Sequence, residues 1–418
     1  MRRTVSATFL SCLVIVIASV PAMAASGDLD PTFSGNGIAS TEAFGSTSVD
    51  IALQHGGQIV SVGYSAEGYQ DMGVTRLRAN GNPDRTFAGD GEATVGFSDA
   101  SGFSCYTEAR AVAIARNGDI VIAGRACRQV AVARLHRDGS LDDSFGTEGA
   151  VLIPVRGGVR HVNALALDAN GNIDVAGDDA AGNVVLVRLR PGGRLDRGFA
   201  GDGIRVVSIE GRARAAALAL RSDGRLVVAG DTYMAPSYPL LRPFVLELDP
   251  LTGRPVPSFG TGGVTILATQ GSFTDLALDG DEPVALGVKG WNLLIARLTA
   301  DGHPDTGFGP AGIRTASFTT GCCDIGFGVT ISASGDVLAA GCAGCYGRDA
   351  GLGLIAYGAN GVPDPAFGDQ GRVLAPGVAA DLSEGAVRVD HQGRIVVGSA
   401  EVENPSVVVG AVYARYLP

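Results

Sequence analysis

Ala111-Val112-Ala113-Ile114-Ala115-Arg116-Asn117-Gly118-Asp119-Ile120-Val121-Ile122-Ala123-Gly124 reads as two short strands around a tight turn. Small and branched apolar residues alternate on both sides, and Asn117-Gly118 accepts the positive φ that such a turn needs. A third strand, Val130-Ala131-Val132-Ala133-Arg134-Leu135, follows at once. It runs into Asp138-Gly139 and then into Leu141-Asp142-Asp143-Ser144-Phe145. Alone, this segment would leave two apolar faces and two open edges in water.

The same phrases return along the chain. The hairpin recurs at 218–230, 329–341 and 387–398, with Asn170-Gly171 and Asp223-Gly224 as sibling turns. The third strand recurs at 185–189, 294–298 and 354–357. The closing phenylalanine recurs as Phe33, Phe87, Phe145, Phe199, Phe259, Phe308 and Phe367, at intervals of 54, 58, 54, 60, 49 and 59 residues. A further strand after each Phe-x-x-x-Gly phrase, such as 38–41, makes four per unit. The expected units are 29–82, 83–140, 141–194, 195–254, 255–303, 304–362 and 363–418. Seven four-stranded sheets that are not stable singly bury their faces by packing around an axis. The fold expected is an all-β, seven-bladed β-propeller of antiparallel blades, a single domain over 25–418. The repeat phenylalanines are expected to wedge between blades. Because the chain closes on a complete strand at 413–418, ring closure is expected to lay residues 28–37 beside it.

Taken together, Leu29-Asp30-Pro31-Thr32-Phe33, Asn117-Gly118-Asp119-Ile120-Val121-Ile122-Ala123-Gly124 and Val132-Ala133-Arg134-Leu135 with Asp138-Gly139 resemble the bacterial delta-60 repeat family. The resemblance covers residues 29–418. It implies a propeller-like fold on exported bacterial proteins, and it brings no reaction with it. Pro255-Val256-Pro257-Ser258-Phe259 and Asp281-Glu282-Pro283 depart most from the pattern.

Residues 1–24 read as an export signal: Arg2-Arg3, an apolar run over 9–18, and Ala22-Met23-Ala24 before the cut. The run is short for a bilayer span, so a secreted or periplasmic protein with no span after cleavage is expected. The net charge of −11 has a single lysine, Lys289, and no basic stripe. Nucleic acid is therefore not an expected partner. Six cysteines follow the signal, an even count that suits a disulfide-bonded exported protein. Hairpin register suggests Cys105–Cys127, Cys322–Cys345 and Cys323–Cys342, with Cys322–Cys342 and Cys323–Cys345 as the crossed alternative.

Strands that run up and down put alternate loops on opposite rims. One rim carries uniform turns and the Asp-Gly-x-Leu-Asp links. The other is irregular, and it carries Tyr64, Tyr69, Tyr106, Tyr233, Tyr238, Tyr346 and the only tryptophan, Trp291. Aromatics on scaffold loops are common binding anchors. The favoured reading is a monomeric binding scaffold for a polysaccharide, peptide or protein surface. The alternative is an enzyme of hydrolase or lyase type with its site in the central funnel, marked by acids converging from several blades. No cofactor or metal is expected. His55, His136, His303 and His391 fall in turns, and only His161 approaches a strand. The acids around Asp168–Asp174 lack a calcium loop's closing glutamate.

Overall fold

The computed structural model describes residues 25–41, 50–64, 71–233, 241–319, 323–345, 350–376, 380–404 and 407–418. Residues 1–24, the expected export signal, lie outside that set. Seven four-stranded antiparallel sheets stand around an axis. The sole helical element among the described residues is a short 3-10 turn, Pro310–Gly312.

Each blade begins at the axis. The innermost strands, from blade one to blade seven, are Asp50–Leu53, Thr107–Ile114, Val159–Leu167, Arg212–Leu220, Ser272–Asp279, Ile325–Ile331 and Ala380–Val389. They meet one another in ring order. Blade two shows the general plan: Thr107–Ile114 turns at Asn117-Gly118 into Ile120–Ala126, then Gln129–Leu135, and ends on the outer strand Ala150–Ile153. Alternate side chains of each sheet enter the apolar layers on its two sides, so each layer is shared between neighbours.

The outer strand follows the Phe-x-x-x-Gly phrase but pairs with the strand before that phrase. The sequence unit therefore begins with the outer strand of one blade and continues into the next. This offset closes the ring. Ile38–Thr41 is the fourth strand of blade seven and pairs with Val407–Tyr416, Ile38 opposite Ala414 and Thr41 opposite Ala411. Residues 27–37 flank the same strand: Asp30 N–H donates to Arg415 O at 2.8 Å and Leu417 N–H to Asp28 O at 2.8 Å.

All seven repeat phenylalanines are buried. In five of the links an arginine from the third strand lies over the ring, with Cζ 4.8–5.0 Å from its centroid: Arg76 over Phe87, Arg134 over Phe145, Arg188 over Phe199, Arg297 over Phe308 and Arg415 over Phe33. The link aspartate ties the arginine down, as in Arg76 Nε to Asp84 at 2.9 Å and Arg415 Nε to Asp30 at 2.8 Å. The same arginines reach carbonyls of the next blade, Arg76 that of Arg137 and Arg415 that of Ala79. The ring itself slides under the next blade's Asp-Gly turn. At Gly139, φ is +89°, and a Cβ would lie 3.0 Å from the Phe87 ring and 2.9 Å from Ala88 N. Only glycine fits that turn and that contact.

The link around Phe259 reverses the charges. Glu247 stands where the arginine would be and Val256 where the aspartate would be. Arg221 and Arg225 meet the Glu247 carboxylate at 2.6 and 3.0 Å, and the Arg221 guanidinium takes the place over the ring, 5.6 Å from the Phe259 centroid. The departure seen in the sequence is thus a swapped latch.

Candidate functional site

In blades two to six the innermost strand skips a residue at one shared position in its pairing to the second strand, and blade three skips Arg160 as well. The residues unpaired at the shared position are Arg110, Asn163, Ala216, Thr274 and Phe327. All five fall at the same distance from the hairpin turn. A bulge leaves one residue out of the ladder and re-aims its side chain. Here all five line a cavity of about 170 Å³ on the axis, together with Asp50, Arg214, Asp275, Glu384 and Arg388. Seven equivalent strands thus present unlike groups to one channel.

The bulge also frees backbone groups, and the polar channel residues satisfy those of the next blade. Asn163 Nδ2 donates to Ala215 O at 2.7 Å and Thr274 Oγ1 to Gly326 O at 2.9 Å. Asp50 accepts from Val112 N–H at 3.0 Å, and Asp275 from Val329 N–H at 2.8 Å. Two ion pairs cross the seam of the ring: Arg110 to Glu384 at 2.5 Å, and Arg388 to Asp50 at 2.7 Å.

One rung nearer the irregular rim, three successive blades carry a cross-strand pair at the same position. Glu108 faces Arg125, His161 faces Asp178, and Arg214 faces Asp231. Their contacts are 2.9, 3.1 and 2.7 Å. The matching rung of blades five and six is Ser272 opposite Val288 and Ile325 opposite Cys342. Among the described residues this rung is therefore charged in blades two to four and uncharged in blades five and six.

Burial pushes several of these acids up. Desolvation raises the Asp50 carboxyl, with Arg388 and the Val112 N–H opposing it. Asp275 is pushed up to about 6, again by desolvation first, against the weaker pull of Arg388 and of the Val329 N–H. Asp231 is also raised by burial, with Arg214 in opposition.

The rim aromatics are only partly in view. Tyr69, Tyr238 and Tyr346 lie outside the described residues, as does the Tyr64 side chain. Tyr106 and Trp291 are half exposed, and the Arg125 guanidinium lies 5.4 Å from the Tyr106 ring. The Tyr233 hydroxyl accepts from Arg160 at 3.4 Å. Phe103, which the sequence reading passed over, is the most exposed large apolar residue here, at 74%.

Cys105 and Cys127 form a disulfide with Cα atoms 5.1 Å apart. Cys127 sits in a two-residue turn, with φ of 49° there and 62° at Arg128. In blade six Cys342 and Cys345 are buried, and each expected set of pairings there involves Cys322. Left-handed backbone at Cys323, φ 81°, takes it out of the extended register. Cys342 pairs across the hairpin with Ile325, and Cys323 meets Cys345 through a backbone bond of 2.7 Å. Cys323 is in a disulfide, and Cys322 lies outside the described residues.

Among the described residues one trio could in principle hold a metal: Asp119, His136 and Asp142. Its carboxylates are engaged already, Asp119 by Asn117 Nδ2 at 2.6 Å and Asp142 by Arg134 at 2.6 Å. Asp168 caps its own turn, accepting from the N–H groups of Asn170 and Asn172, both at 2.8 Å. Among the described residues, no helix is long and apolar enough to cross a membrane.

No curated protein matches the chain in sequence. Several solved structures resemble it. One is the extracellular domain of a hybrid two component system of B. thetaiotaomicron, with 12% identity and TM-score 0.45, over 91% of this chain and 39% of that one. The chain therefore spans well under half of that domain. A second is the polysaccharide lyase Uly1, with 10% identity and TM-score 0.47, over 88% of this chain and 89% of that one. A third is a gluconolactonase from Xanthomonas campestris, with 13% identity and TM-score 0.38, over 75% and 90%. In sequence, the family model described as a domain of unknown function (DUF5122) beta-propeller matches residues 57–87 and 115–145, which run from hairpin turn to link phenylalanine in blades one and two.

Proposed function

We propose that this is an exported binding protein that takes a small polar ligand in its central channel. One observation carries the reading. The bulge recurs in five blades, yet the residue it aims inward is Arg, Asn, Ala, Thr or Phe. A purely structural repeat has no need of that variety, while a site has. The cavity lies below the range of about 300–1,000 Å³ usual for drug-sized ligands, which favours a small molecule. Polysaccharide or protein contact through Trp291, Tyr106 and Tyr233 then belongs to the irregular rim as a separate surface. Export by residues 1–24, a monomeric state and membership of the delta-60 repeats complete the proposal.

The test uses Ala216→Phe. Phe327 shows that a bulge in this ring accommodates a phenyl group, so the substitution should fill the channel and keep the fold. A thermal-shift and calorimetric screen of sugars, amino acids and amines against residues 25–418 should find a ligand that A216F no longer binds at an unchanged melting temperature. Retained binding in A216F, with loss in Trp291→Ala and Tyr233→Ala, would move the site to the rim.

A catalytic reading has one observation in its favour. His161 Nδ1 is held by the buried carboxylate of Asp178, which leaves Nε2 for proton transfer at the channel mouth. His161→Ala that binds the ligand as before, and leaves it chemically intact as the wild type does, would set catalysis aside.

A further inference from the structure

The channel acids are not equivalent. Glu108 and Glu384 share Arg110, Asp231 has Arg214, and Asp50 has Arg388. Among the described residues no cation lies within ion-pair distance of Asp275. Its carboxylate accepts from the Val329 N–H, but a stitch between blades needs no charge, since the neutral side chains of Asn163 and Thr274 make one by donating to carbonyls of the next blade. The charge on Asp275 therefore exceeds what the stitch between blades requires. We propose that Asp275 binds the ammonium group of a small hydroxylated amine, with the neutral Thr274 beside it and Asp50 across the channel. This deepens the channel reading and rests on it. A divalent metal ion suits the place less well, since calcium calls for six to eight oxygens and the Arg388 guanidinium already pairs with Asp50 and acts on Asp275.

The charged groups that face Asp275 are Arg388 and Asp50 on blades seven and one, with Arg214 on the preceding inner strand and Arg110 and Glu384 further round. The following inner strand, Ile325–Ile331, has no titratable residue. A carboxyl pushed up to about 6 is mostly neutral at pH 5 and mostly ionised at pH 7.

The experiment titrates residues 25–418 with 2-amino-1,3-propanediol, with glycerol, in which a hydroxyl replaces the ammonium, and with calcium chloride alone. Calorimetry at pH 5 and pH 7 reads affinity. The amine should bind about tenfold more tightly at pH 7 than at pH 5, following ionisation of the acid. Glycerol should bind far less, and Asp275→Asn should abolish the pH dependence. Because the amine, glycerol and pH comparison needs only the wild type, a poorly folding D275N would not disable it. Equal binding of glycerol and the amine, both lost in A216F, would keep the channel site and overturn the ammonium assignment. Calcium binding without amine binding, or binding by none of the three, would overturn the assignment as well.

Discussion

The links of the outer ring recur in all seven units and the bulges of the inner ring in five, and they differ in what they repeat. Each link restates one set of contacts: a phenylalanine under the neighbour's glycine turn and, in most, an arginine over the ring with an acid to hold it. Where the letters change, as at Glu247 with Arg221 and Arg225, the contact survives with its charges exchanged. The bulges restate a backbone irregularity and vary what it presents. Contact-preserving repetition marks structure, and placement-preserving repetition marks a site.

The largest expected effect comes from breaking the link system at its seam. Deleting residues 26–41 removes both the Phe33 link and the fourth strand of blade seven. The melting temperature should fall steeply, with loss of a single cooperative transition. An unchanged melting curve would show that the ring does not need its closing strand.

A sharper contrast follows within intact chains. Phe145→Ala should cost about 3–5 kcal/mol in urea unfolding, the usual loss for a buried aromatic. Asn163→Ala, at a bulge, removes one hydrogen bond to the next blade and should cost about 1 kcal/mol. Equal costs would erase the distinction between the two rings.

A further effect is one of sign. At the link acids Asp84 and Asp142, burial alone would raise the carboxyl, but bonds from Thr86 or Ser144 and from Arg76 or Arg134 outweigh it and hold it below the usual range. A depressed folded value adds stability above the unfolded pKa of about 4, and that stability is lost as pH falls through the folded value. Asp275 runs the other way. Its raised folded value makes ionisation unfavourable to folding as pH rises from about 4 through about 6. D275N should therefore be neutral near pH 3, partly stabilising at pH 5 and stabilising by about 2–3 kcal/mol at pH 8, whereas Asp142→Asn should destabilise at pH 8, as read from urea midpoints.

The blade count, the hairpins and the link phenylalanines were legible because seven imperfect copies of one phrase average out their differences. The bulges were not, since a skipped residue is a relation between two strands and leaves no mark within one. A usable signal was present all the same. The residue after each Ala-Gly of the hairpin is Arg125, Asp178 or Asp231 in three successive units, and its partner two before the bulge is Glu108, His161 or Arg214. Charges alternating with small apolar residues on a strand deep in a propeller point to the axis.

The pairing of Ile38–Thr41 with Val407–Tyr416 also bears on how the molecule comes to exist. The two partners are separated in sequence by the six other blades, so this sheet cannot be finished until those blades have been made. Joining segments so far apart is slow, because chain entropy opposes it before any contact rewards it. Until then blade seven exposes a bare edge at Val407–Tyr416, which a second chain could cap with its own Ile38–Thr41. Crowded nascent molecules would then exchange these short segments and emerge as linked pairs.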